Sequence, residues 1–409
     1  MIFQAIKNLL IKYDRSENVI LFIRFSKKFV KKCFKQVYLI FTIVRIKRMH
    51  KNKCRELAKA NRKIQVVFII RHASQWKYEE IYRIFEKNKN YNPKIIISPD
   101  FKNKTWLYDY KLCINRFENK NYSIVKYWDI QNNRLNSVNI KSFDLVFFQK
   151  TTDTKDPFYI GLFSNALTCY VPYSTYGDNN LESQYNKVFH NLLWKHYVAT
   201  PIHLKMARSS SFNKGSNVRV VGYPSGDYLL KKIPLKKSFN VWKKTKTKKK
   251  KIIWAPHHTI TESKIQTNHS NFLWLAKPMK EFAKKYQDSV QFAFKPHPNL
   301  RKELLRHEAW GEQRTDKYYR QWDEIENGQL EESNYFELFL ESDAMIHDSV
   351  SFLAEYIYTK KPCCYIVKDV NKINYFLNEF GKEAFQLHQI ARSLQEIESF
   401  IKSIINNSN

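Results

Sequence analysis

The chain of 409 residues has little glycine and proline, no paired metal-binding cysteines, and no hydrophobic run long enough to span a bilayer. Only 8 glycines and 12 prolines accompany 43% hydrophobic residues, a composition that excludes collagen-like and disordered chains. The six cysteines form no CxxC pair, so they indicate reduced thiols of a cytosolic protein. The longest apolar run, at residues 37–44, is far shorter than the roughly 20 residues of a spanning helix. Because no signal-peptide pattern is evident either, we expect a protein that does not cross a membrane.

Acidic residues are scarce relative to basic ones. The chain carries 70 Lys and Arg against 38 Asp and Glu, a formal net charge of +32, and the excess is concentrated at residues 24–63 and 243–251. Such a surface predicts an anionic partner, either nucleic acid, a membrane face or a phosphorylated substrate. Since Lys, Asn, Ile and Tyr are abundant everywhere, compositional drift is the alternative. Residues 243–251 contain no aromatic residue and no RNA-binding module surrounds them, so we expect no nucleic-acid partner.

Residues 1–62 form a basic N-terminal segment with helical spacing. Within residues 19–49, large aromatic side chains can share one side of a helix whose remaining surface carries lysines; they are Phe22, Phe25, Phe29 and Phe34. This pattern predicts an interfacial helix on an anionic inner membrane surface. The alternative is a helix docked on the protein's own core, with its lysines in water.

Beyond this segment, short apolar runs alternate with stretches of helical periodicity, which predicts mainly parallel α/β sheets. A first series occupies residues 63–242, a basic linker unlikely to pack follows at 243–251, and a second series occupies 252–409. The predicted strands lie at 64–70, 93–99, 122–130, 143–149, 169–176, 196–200 and from 218, and then at 252–256, 290–298, 343–349 and 363–367. The expected fold class is therefore α/β, with two domains and a ligand cleft between them.

The segment at 344–356, AMIHDSVSFLAEY, places small hydroxyls and no lysine where a strand gives way to a helix. Asp348 or Ser349 could simply cap that helix. Alternatively, Asp348, Ser349 and Ser351 leave the helix N-terminus open for a phosphate, because backbone N–H groups and the helix dipole favour an anion. Glu355, further along the helix, is a candidate for hydrogen bonds to a ribose or a polar head group.

Other predicted strand ends carry candidate residues, at the edge where open α/β sheets bind ligands. Gly222 permits close backbone approach in a strand–turn–helix segment. His257 and His258 follow the strand at 252–256, and either could act as a general base near neutral pH.

His297 lies between Pro296 and Pro298, which hold its backbone extended, with Lys295 and Arg301 nearby. A rigidly placed imidazole beside two cations is suited to the oxygens of a phosphate. The alternative is that the prolines merely end a strand. No acidic cluster resembling a metal site is apparent, so we expect neither a metal ion nor a cofactor.

In their order and spacing, these segments resemble the CDP-glycerol glycerophosphotransferase family, the teichoic acid and capsule polymerases of bacteria. The resemblance covers about residues 140–370 and is most specific across 290–366; the matching positions there include Asp343, Asp348, Ser349, Ser351, Glu355 and Pro362. It implies a GT-B fold of two Rossmann-like domains, with the nucleotide held by the C-terminal one. It also implies metal-independent transfer of glycerol phosphate from CDP-glycerol, and a cytoplasmic location with peripheral attachment to the inner face of the membrane.

The chain departs from the family where the catalytic base is expected. Family members often carry a Trp-His-Gly-Thr segment in the first domain, whereas residues 149–176 contain no histidine. We therefore expect His257 or His258 to have taken over the role of base, with Asp153 and Tyr176 as weaker candidates.

The leading hypothesis is transfer of glycerol phosphate, or a related polyol phosphate, from a CDP-linked donor to a glycan or a teichoic or capsular polymer, with release of CMP. Such reactions depend on alignment and charge neutralisation, which we assign to Lys295, His297, Arg301, Ser349 and Ser351. A GT-B glycosyltransferase that uses a sugar nucleotide is the alternative, and a non-enzymatic basic scaffold is a third possibility. The oligomeric state is not predicted.

Overall fold

The computed structural model describes residues 17–103, 106–230, 241–260, 270–332 and 335–407, without the side chains of residues 17–36, 74 and 372. The first of two large sheets contains seven parallel strands in the order β3-β2-β1-β6-β7-β8-β9. Its strands, together with those of the small antiparallel hairpin β4-β5, are β1 (Ile64–Ile70), β2 (Tyr91–Ile97), β3 (Ile124–Lys126), β4 (Trp128–Asp129), β5 (Arg134–Leu135), β6 (Leu145–Phe148), β7 (Leu167–Tyr170), β8 (Lys195–Val198) and β9 (Val218–Val220).

The second large sheet contains six parallel strands in the order β12-β11-β10-β13-β14-β15. They are β10 (Lys250–Ala255), β11 (Val290–Phe294), β12 (Gly328–Leu330), β13 (Ala344–His347), β14 (Cys363–Ile366) and β15 (Gln389–Ala391). In both sheets the chain starts in a central strand, builds outward on one side, and then returns to build the other side. This is the strand order of Rossmann-type sheets, and it opens a ligand crevice at the carboxyl ends of the strands.

Helices cover the sheets. In chain order they are α1 (Glu17–Ala58), α2 (Glu79–Lys87), α3 (Trp106–Glu118), α4 (Val188–Leu192), α5 (Pro201–Ser210), α6 (Pro224–Leu230), α7 (Phe272–Lys285), α8 (Leu300–Arg306), α9 (Gly311–Glu324), α10 (Phe336–Glu341), α11 (Phe352–Glu355), α12 (Val370–Phe376), α13 (Glu379–Gln386) and α14 (Leu394–Asn406). Strand β10 shows how both faces are filled: Ile252 and Trp254 belong to one hydrophobic core, and Ile253 and Ala255 to another. This burial of alternate residues on both faces explains the continuous apolar runs of the sequence.

The two sheets are joined by backbone hydrogen bonds at the segments that follow β7 and α12. The amide of Asn179 donates to the carbonyl of Phe376 (2.9 Å), and the amide of Asn378 donates to the carbonyl of Gly177 (3.0 Å). A Cβ at Gly381 would lie 2.1 Å from the Gly177 carbonyl oxygen, so this contact requires glycine. The close backbone approach fixes how the two sheets face each other.

Three predictions need comment. Helix α1 spans the predicted helical segment, and beyond residue 36 its inner side packs Ile43 against the core of the first sheet; Phe22, Phe25, Phe29 and Phe34 lie outside the described side chains. The two ends of the basic linker are held in place, contrary to expectation: Lys243 exchanges hydrogen bonds with Gln329 and Gln291, and the last two lysines begin β10, whereas Lys244, Lys246 and Lys248 are exposed. Across the described residues, no helix is long and apolar enough to cross a membrane.

Candidate active site

A cavity of about 480 Å³ lies between the carboxyl edges of the two sheets. The residues that follow β1, β2, β6 and β7 form one side, which we call the N-terminal wall; they include His72, Asp100, Lys102, Lys150, Tyr173 and Ser174. The residues that follow β10, β11, β12 and β13 form the other side, the C-terminal wall; they include Pro256, Lys295, His297, Lys302, Glu332, Ser349 and Ser351. The cavity is thus rich in lysine, and a lysine-lined cleft attracts an anionic ligand.

Lys295 and His297 follow β11 and stand on the C-terminal wall, as predicted. The backbone continues the edge of β10, since the amide of Lys295 donates to the carbonyl of Trp254 (2.8 Å) and that of His297 to the carbonyl of Pro256 (3.0 Å). Burial lowers the pKa of Lys295 to about 8, so its ammonium group is still mostly charged at neutral pH. Lys295 and His297 therefore bring a buried cation and an imidazole to the same cavity.

The ring of His297 has a defined hydrogen-bonding role. Its Nδ1 accepts from the backbone amide of Asn299 (3.1 Å), and desolvation lowers its pKa to about 3. The ring is therefore neutral at neutral pH and carries its hydrogen on Nε2. His297 can donate this hydrogen to a phosphate oxygen but is poorly suited to accept a proton.

His257 and His258 pack against His297, with ring centroids 4.1 to 4.9 Å apart. Among the described residues, His297 lines the cavity but neither of these two does. Nδ1 of His257 lies 3.0 Å from the hydroxyl oxygen of Thr259, and burial lowers the pKa of His258 to about 4. The structure therefore places the two predicted bases behind His297, and this position does not favour a direct role in proton transfer.

Asp348 supports the C-terminal wall from behind, since its carboxylate neither caps helix α11 nor belongs to the described cavity lining. Its buried carboxylate accepts hydrogen bonds from the backbone amides of His257 (2.6 Å) and Asn271 (2.5 Å). Desolvation raises its pKa to about 6 in spite of these bonds. The carboxylate thus ties β13 to the loop after β10, and a buried negative charge would repel phosphate.

Ser349 and Ser351 do line the cavity, but the helix that follows is shorter than predicted. Helix α11 has four residues and continues as a 3-10 turn at Tyr356–Thr359, and no side chain caps its start. Such a short helix adds little dipole, because the dipole sums over aligned peptide units. Any phosphate held here would depend on the two hydroxyls and on Lys295 more than on the helix.

Arg301 and Gly222 lie away from the cavity lining, which corrects their predicted role in phosphate binding. Arg301, on α8, donates to the carboxylate of Asp316 (2.8 Å), while the neighbouring Lys302 lines the cavity. Gly222 lies before α6 with a φ of 84°, a left-handed conformation that glycine adopts easily. In the described structure, Gly222 therefore serves to let the backbone turn into α6.

Glu355 lines the cavity, and its contacts link the two walls. Tyr223 and Lys77 from the first half of the chain contact one carboxylate oxygen, Lys77 at 3.5 Å, and Tyr335 donates to the other (2.8 Å). Lys77 also lies 4.1 Å from the centre of the Tyr335 ring. With both oxygens engaged, Glu355 is better placed to hold the walls together than to bind a donor.

The N-terminal wall contributes a histidine that sequence reasoning missed. His72 follows β1, and its Nε2 lies 3.3 Å from Oδ2 of Asp100, which follows the adjacent β2. This hydrogen bond is the main reason why the pKa of Asp100 is below its usual range, and the nearby Lys150 contributes. If Nε2 donates to Asp100, Nδ1, which lies 3.8 Å from Oδ2 of Asp109, keeps a lone pair that can accept a proton.

The weaker base candidates are less suitable. Asp153 is exposed and paired with Lys102 (3.1 Å), and the hydroxyl of Tyr176 lies 2.9 Å from that of Tyr170. Burial raises the pKa of Tyr176 well above its ordinary value, so it is a poor base. A signal for His72 was present in the sequence: a histidine two residues after a buried strand, at the edge where ligands bind.

Two Rossmann-type sheets that face a shared, lysine-rich cavity define a GT-B-like transferase scaffold, as predicted. The sequence profile described as CDP-Glycerol:Poly(glycerophosphate) glycerophosphotransferase matches residues 172–408, more than half of the chain. The chain belongs to this family and is a transferase of the CDP-glycerol glycerophosphotransferase type.

Solved structures show the same architecture. The fold is similar to that of UDP-GlcNAc 2-epimerase from Methanocaldococcus jannaschii, with 13% identity and a TM-score of 0.50 over 85% of this chain and 93% of that chain. It is also similar to a variant of the wall teichoic acid polymerase TagF, with 15% identity and a TM-score of 0.50 over 93% of both chains. At these identities the likeness concerns the fold alone. The curated protein sequences contain no match.

Proposed function

We propose that the chain transfers glycerol phosphate, or a related polyol phosphate, from a CDP-linked donor to a hydroxyl of a glycan or of a teichoic or capsular polymer. The acceptor oxygen forms a bond to the phosphorus that carries the polyol, the bond from that phosphorus to the bridging oxygen breaks, and CMP leaves. The proposal is supported by the cavity of about 480 Å³, where polar side chains of the required kinds from both walls line the same space. Residues 252–409 would hold the donor, and residues 63–242 would present the acceptor.

The C-terminal wall supplies groups suited to a diphosphate. Lys295 supplies a buried positive charge, His297 supplies an N–H donor, and Ser349 and Ser351 supply hydroxyls around the same space. Phosphoryl transfer needs charge neutralisation and alignment more than covalent help from the protein. This set therefore matches the demands of the donor.

We assign the role of general base to His72 on the opposite wall. In this assignment the acceptor hydroxyl transfers its proton to Nδ1 of His72, and Asp100 holds the ring and stabilises the imidazolium that forms. This assignment replaces His257 and His258 as the general base. It places the base within residues 63–242, the part of the chain that would present the acceptor.

A donor screen tests the reaction. The purified chain is incubated with a glycerol-phosphate oligomer and, in separate reactions, CDP-glycerol, CDP-ribitol, UDP-sugars and CMP-sugars, and the released nucleotide is measured. We expect CMP release from a CDP-polyol with matching growth of the acceptor. Turnover with a sugar nucleotide alone would contradict the proposal and support the alternative of a GT-B glycosyltransferase.

We also propose that α1 brings the enzyme to an anionic membrane surface. Tyr38, Phe41 and Val44 expose 73%, 70% and 62% of their surface on this helix, and Arg45 and Arg48 follow them. Apolar side chains beside basic ones favour the interface of an anionic bilayer.

Vesicle sedimentation tests this second proposal. Binding to vesicles with anionic lipid should exceed binding to zwitterionic vesicles, weaken in high salt, and be lost in a Tyr38→Ser/Phe41→Ser double variant. Tyr375→Ser is the matched control, because Tyr375 is 87% exposed on a different helix. Equal binding by the double variant and the control would contradict the proposed surface.

A further inference from the structure

A second group of metal-ligating side chains lies outside the cavity, in the core of the second sheet. His347 ends β13, Cys363 begins β14, and His388 lies between α13 and β15. All three residues are buried, and their ligand atoms lie within 4.8 Å of one another. We propose that His347, Cys363 and His388 form a binding site for a thiophilic divalent cation such as Zn²⁺.

The two imidazole rings are held in a way that leaves one nitrogen of each for a ligand. Nδ1 of His388 lies 2.9 Å from the carbonyl oxygen of Ala384, so this nitrogen carries the hydrogen and Nε2 keeps its lone pair. Nδ1 of His347 lies 3.1 Å from the carbonyl oxygen of Ser349 and 3.2 Å from the amide nitrogen of the same residue, so Nε2 is available to a metal in the tautomer that donates to the carbonyl. Histidines that bind metals commonly donate their other N–H to a carbonyl in this manner.

Both Nε2 atoms are buried, and neither has a hydrogen-bond partner within the described part of the chain. Buried polar atoms without a partner are rare in proteins, because the desolvation penalty of such an atom is not offset. Two such nitrogen atoms lie beside one buried thiol, and a single metal ion bound to all three would give each of them a partner. A purely apolar packing of three side chains would leave no such buried polar atoms without partners.

The donor types and their spacing suit zinc. Zinc binds imidazole nitrogen at about 2.0–2.1 Å and thiolate sulfur at about 2.3 Å, so tetrahedral ligands lie roughly 3.4–3.7 Å apart. Binding would therefore require the ligand atoms, which now lie within 4.8 Å of one another, to close to that range. Cys363 would lose its proton on binding, and a water molecule could complete the set.

The position of the proposed metal site indicates how an ion could reach it and what its binding would change. His388 comes directly after Leu387, which is 67% exposed, so the site lies close beneath the surface. A metal bound at Nε2 would select the tautomer in which Nδ1 of His347 donates to the carbonyl of Ser349 (3.1 Å), so a bound ion would restrain the turn that contributes Ser349 to the cavity. That consequence rests on the proposed function, whereas metal binding itself does not.

Cobalt binding to the full chain tests the site. The protein is stripped of metal with a chelator and titrated with Co²⁺, whose thiolate complexes give a near-ultraviolet charge-transfer absorption, and Zn²⁺ is then added as a competitor. We expect one Co²⁺ per chain with this absorption, and its displacement by Zn²⁺. Cys363→Ser should abolish the absorption, and His388→Gln should weaken binding by about 100-fold or more.

Two controls separate the site from other donors. Cys364→Ser should bind Co²⁺ normally, because Cys364 is equally buried but packs into the core on the other face of the sheet. His258→Gln tests the cluster of His257, His258 and His297, which also places three ligand atoms within 4.8 Å of one another but lacks sulfur. Far-ultraviolet circular dichroism checks that each variant is folded. If Cys363→Ser does not fold, the test relies on the weaker Co²⁺ binding expected for His388→Gln.

The outcomes are distinct. Loss of the absorption with Cys363→Ser and weaker binding with His388→Gln, together with unchanged binding by both controls, would support the site whether or not the enzyme transfers glycerol phosphate. The proposal is overturned if no stoichiometric ion binds, if binding lacks the thiolate absorption, or if only His258→Gln reduces it.

Discussion

The two walls of the cavity differ in how they hold their polar side chains. On the N-terminal wall, the side chain of His72 is 20% exposed, and Lys102 and Lys150 are exposed and held only by ion pairs with Asp153 and Asp100. On the C-terminal wall, Lys295, Asp348 and Ser349 are buried. Apart from the buried Lys77 of the first half and the exposed Lys302 of the second, the second sheet thus presents a preorganised set, and the first presents side chains with more conformational freedom.

This difference matches the two substrates of the proposed reaction. A nucleotide donor is chemically constant, so a buried set with fixed hydrogen bonds can be complementary to it at little further entropic cost. An acceptor polymer changes as it grows, and mobile lysines can accommodate it. Substitutions on the N-terminal wall should therefore affect catalysis with little loss of stability, whereas substitutions on the C-terminal wall should affect both.

The largest expected effect is on His72. His72→Gln should lower kcat by about 10²–10⁴-fold, the usual range for a general base, while the melting temperature stays within a few degrees. Asp100→Asn should lower kcat less, since it disturbs only the orientation of the ring. The measurements are initial rates of CMP release and thermal unfolding. Asp153→Asn is the matched control on the same wall, and comparable losses for it and His72→Gln would contradict the role of His72.

A smaller loss is expected for His297 on the C-terminal wall. His297→Ala removes one hydrogen-bond donor to the phosphate and should lower kcat by about 10²–10³-fold with the fold intact. His307→Ala is the control, since His307 follows α8 and is absent from the described cavity lining. If the His297 variant retained CMP release at the normal rate, the assignment of the C-terminal wall to the donor would be wrong.

The comparison of the walls also shows which features could be predicted from sequence. Continuous apolar runs located β1 to the residue, because a strand buried on both faces needs them. Strands β12 and β15 were missed, because three residues such as Gly328–Leu330 carry no periodic signal. Lys295, His297, Ser349 and Ser351 follow strands, and all four line the cavity, while their role in donor binding stays a prediction. Contacts between distant residues, such as that of His72 with Asp100, depend on tertiary structure.

The third prediction concerns the stability of the C-terminal wall. Asp348 has a folded-state pKa of about 6, above its ordinary value, so between pH 4 and 6 the folded chain binds a proton that the unfolded chain does not. Its contribution to the free energy of unfolding therefore falls as the pH rises through this range, by up to about 3 kcal/mol. Asp348→Asn should remove this dependence.

Urea denaturation of both proteins from pH 4 to pH 7 measures the effect. The stability of the original protein relative to Asp348→Asn should decrease as the pH rises from 4 to 6 and stay constant above about 7. The Asn variant should also lower kcat, because it cannot accept both backbone hydrogen bonds. A difference in stability that does not vary with pH would show that Asp348 is ionised equally in the folded and unfolded chain.

The smallest effect separates two adjacent cations on α8. Arg301 is paired with Asp316, whereas Lys302 lines the cavity. Arg301→Ala should leave kcat/KM within about twofold and lower the free energy of unfolding by about 0.2–1 kcal/mol, as for other exposed ion pairs. Lys302→Ala should raise the KM for the donor several-fold, and this effect should shrink at high salt because an exposed charge is screened. A larger change in donor KM for Arg301→Ala than for Lys302→Ala would place the diphosphate on the other side of α8. In that case Arg301, and not Lys302, would belong to the C-terminal wall.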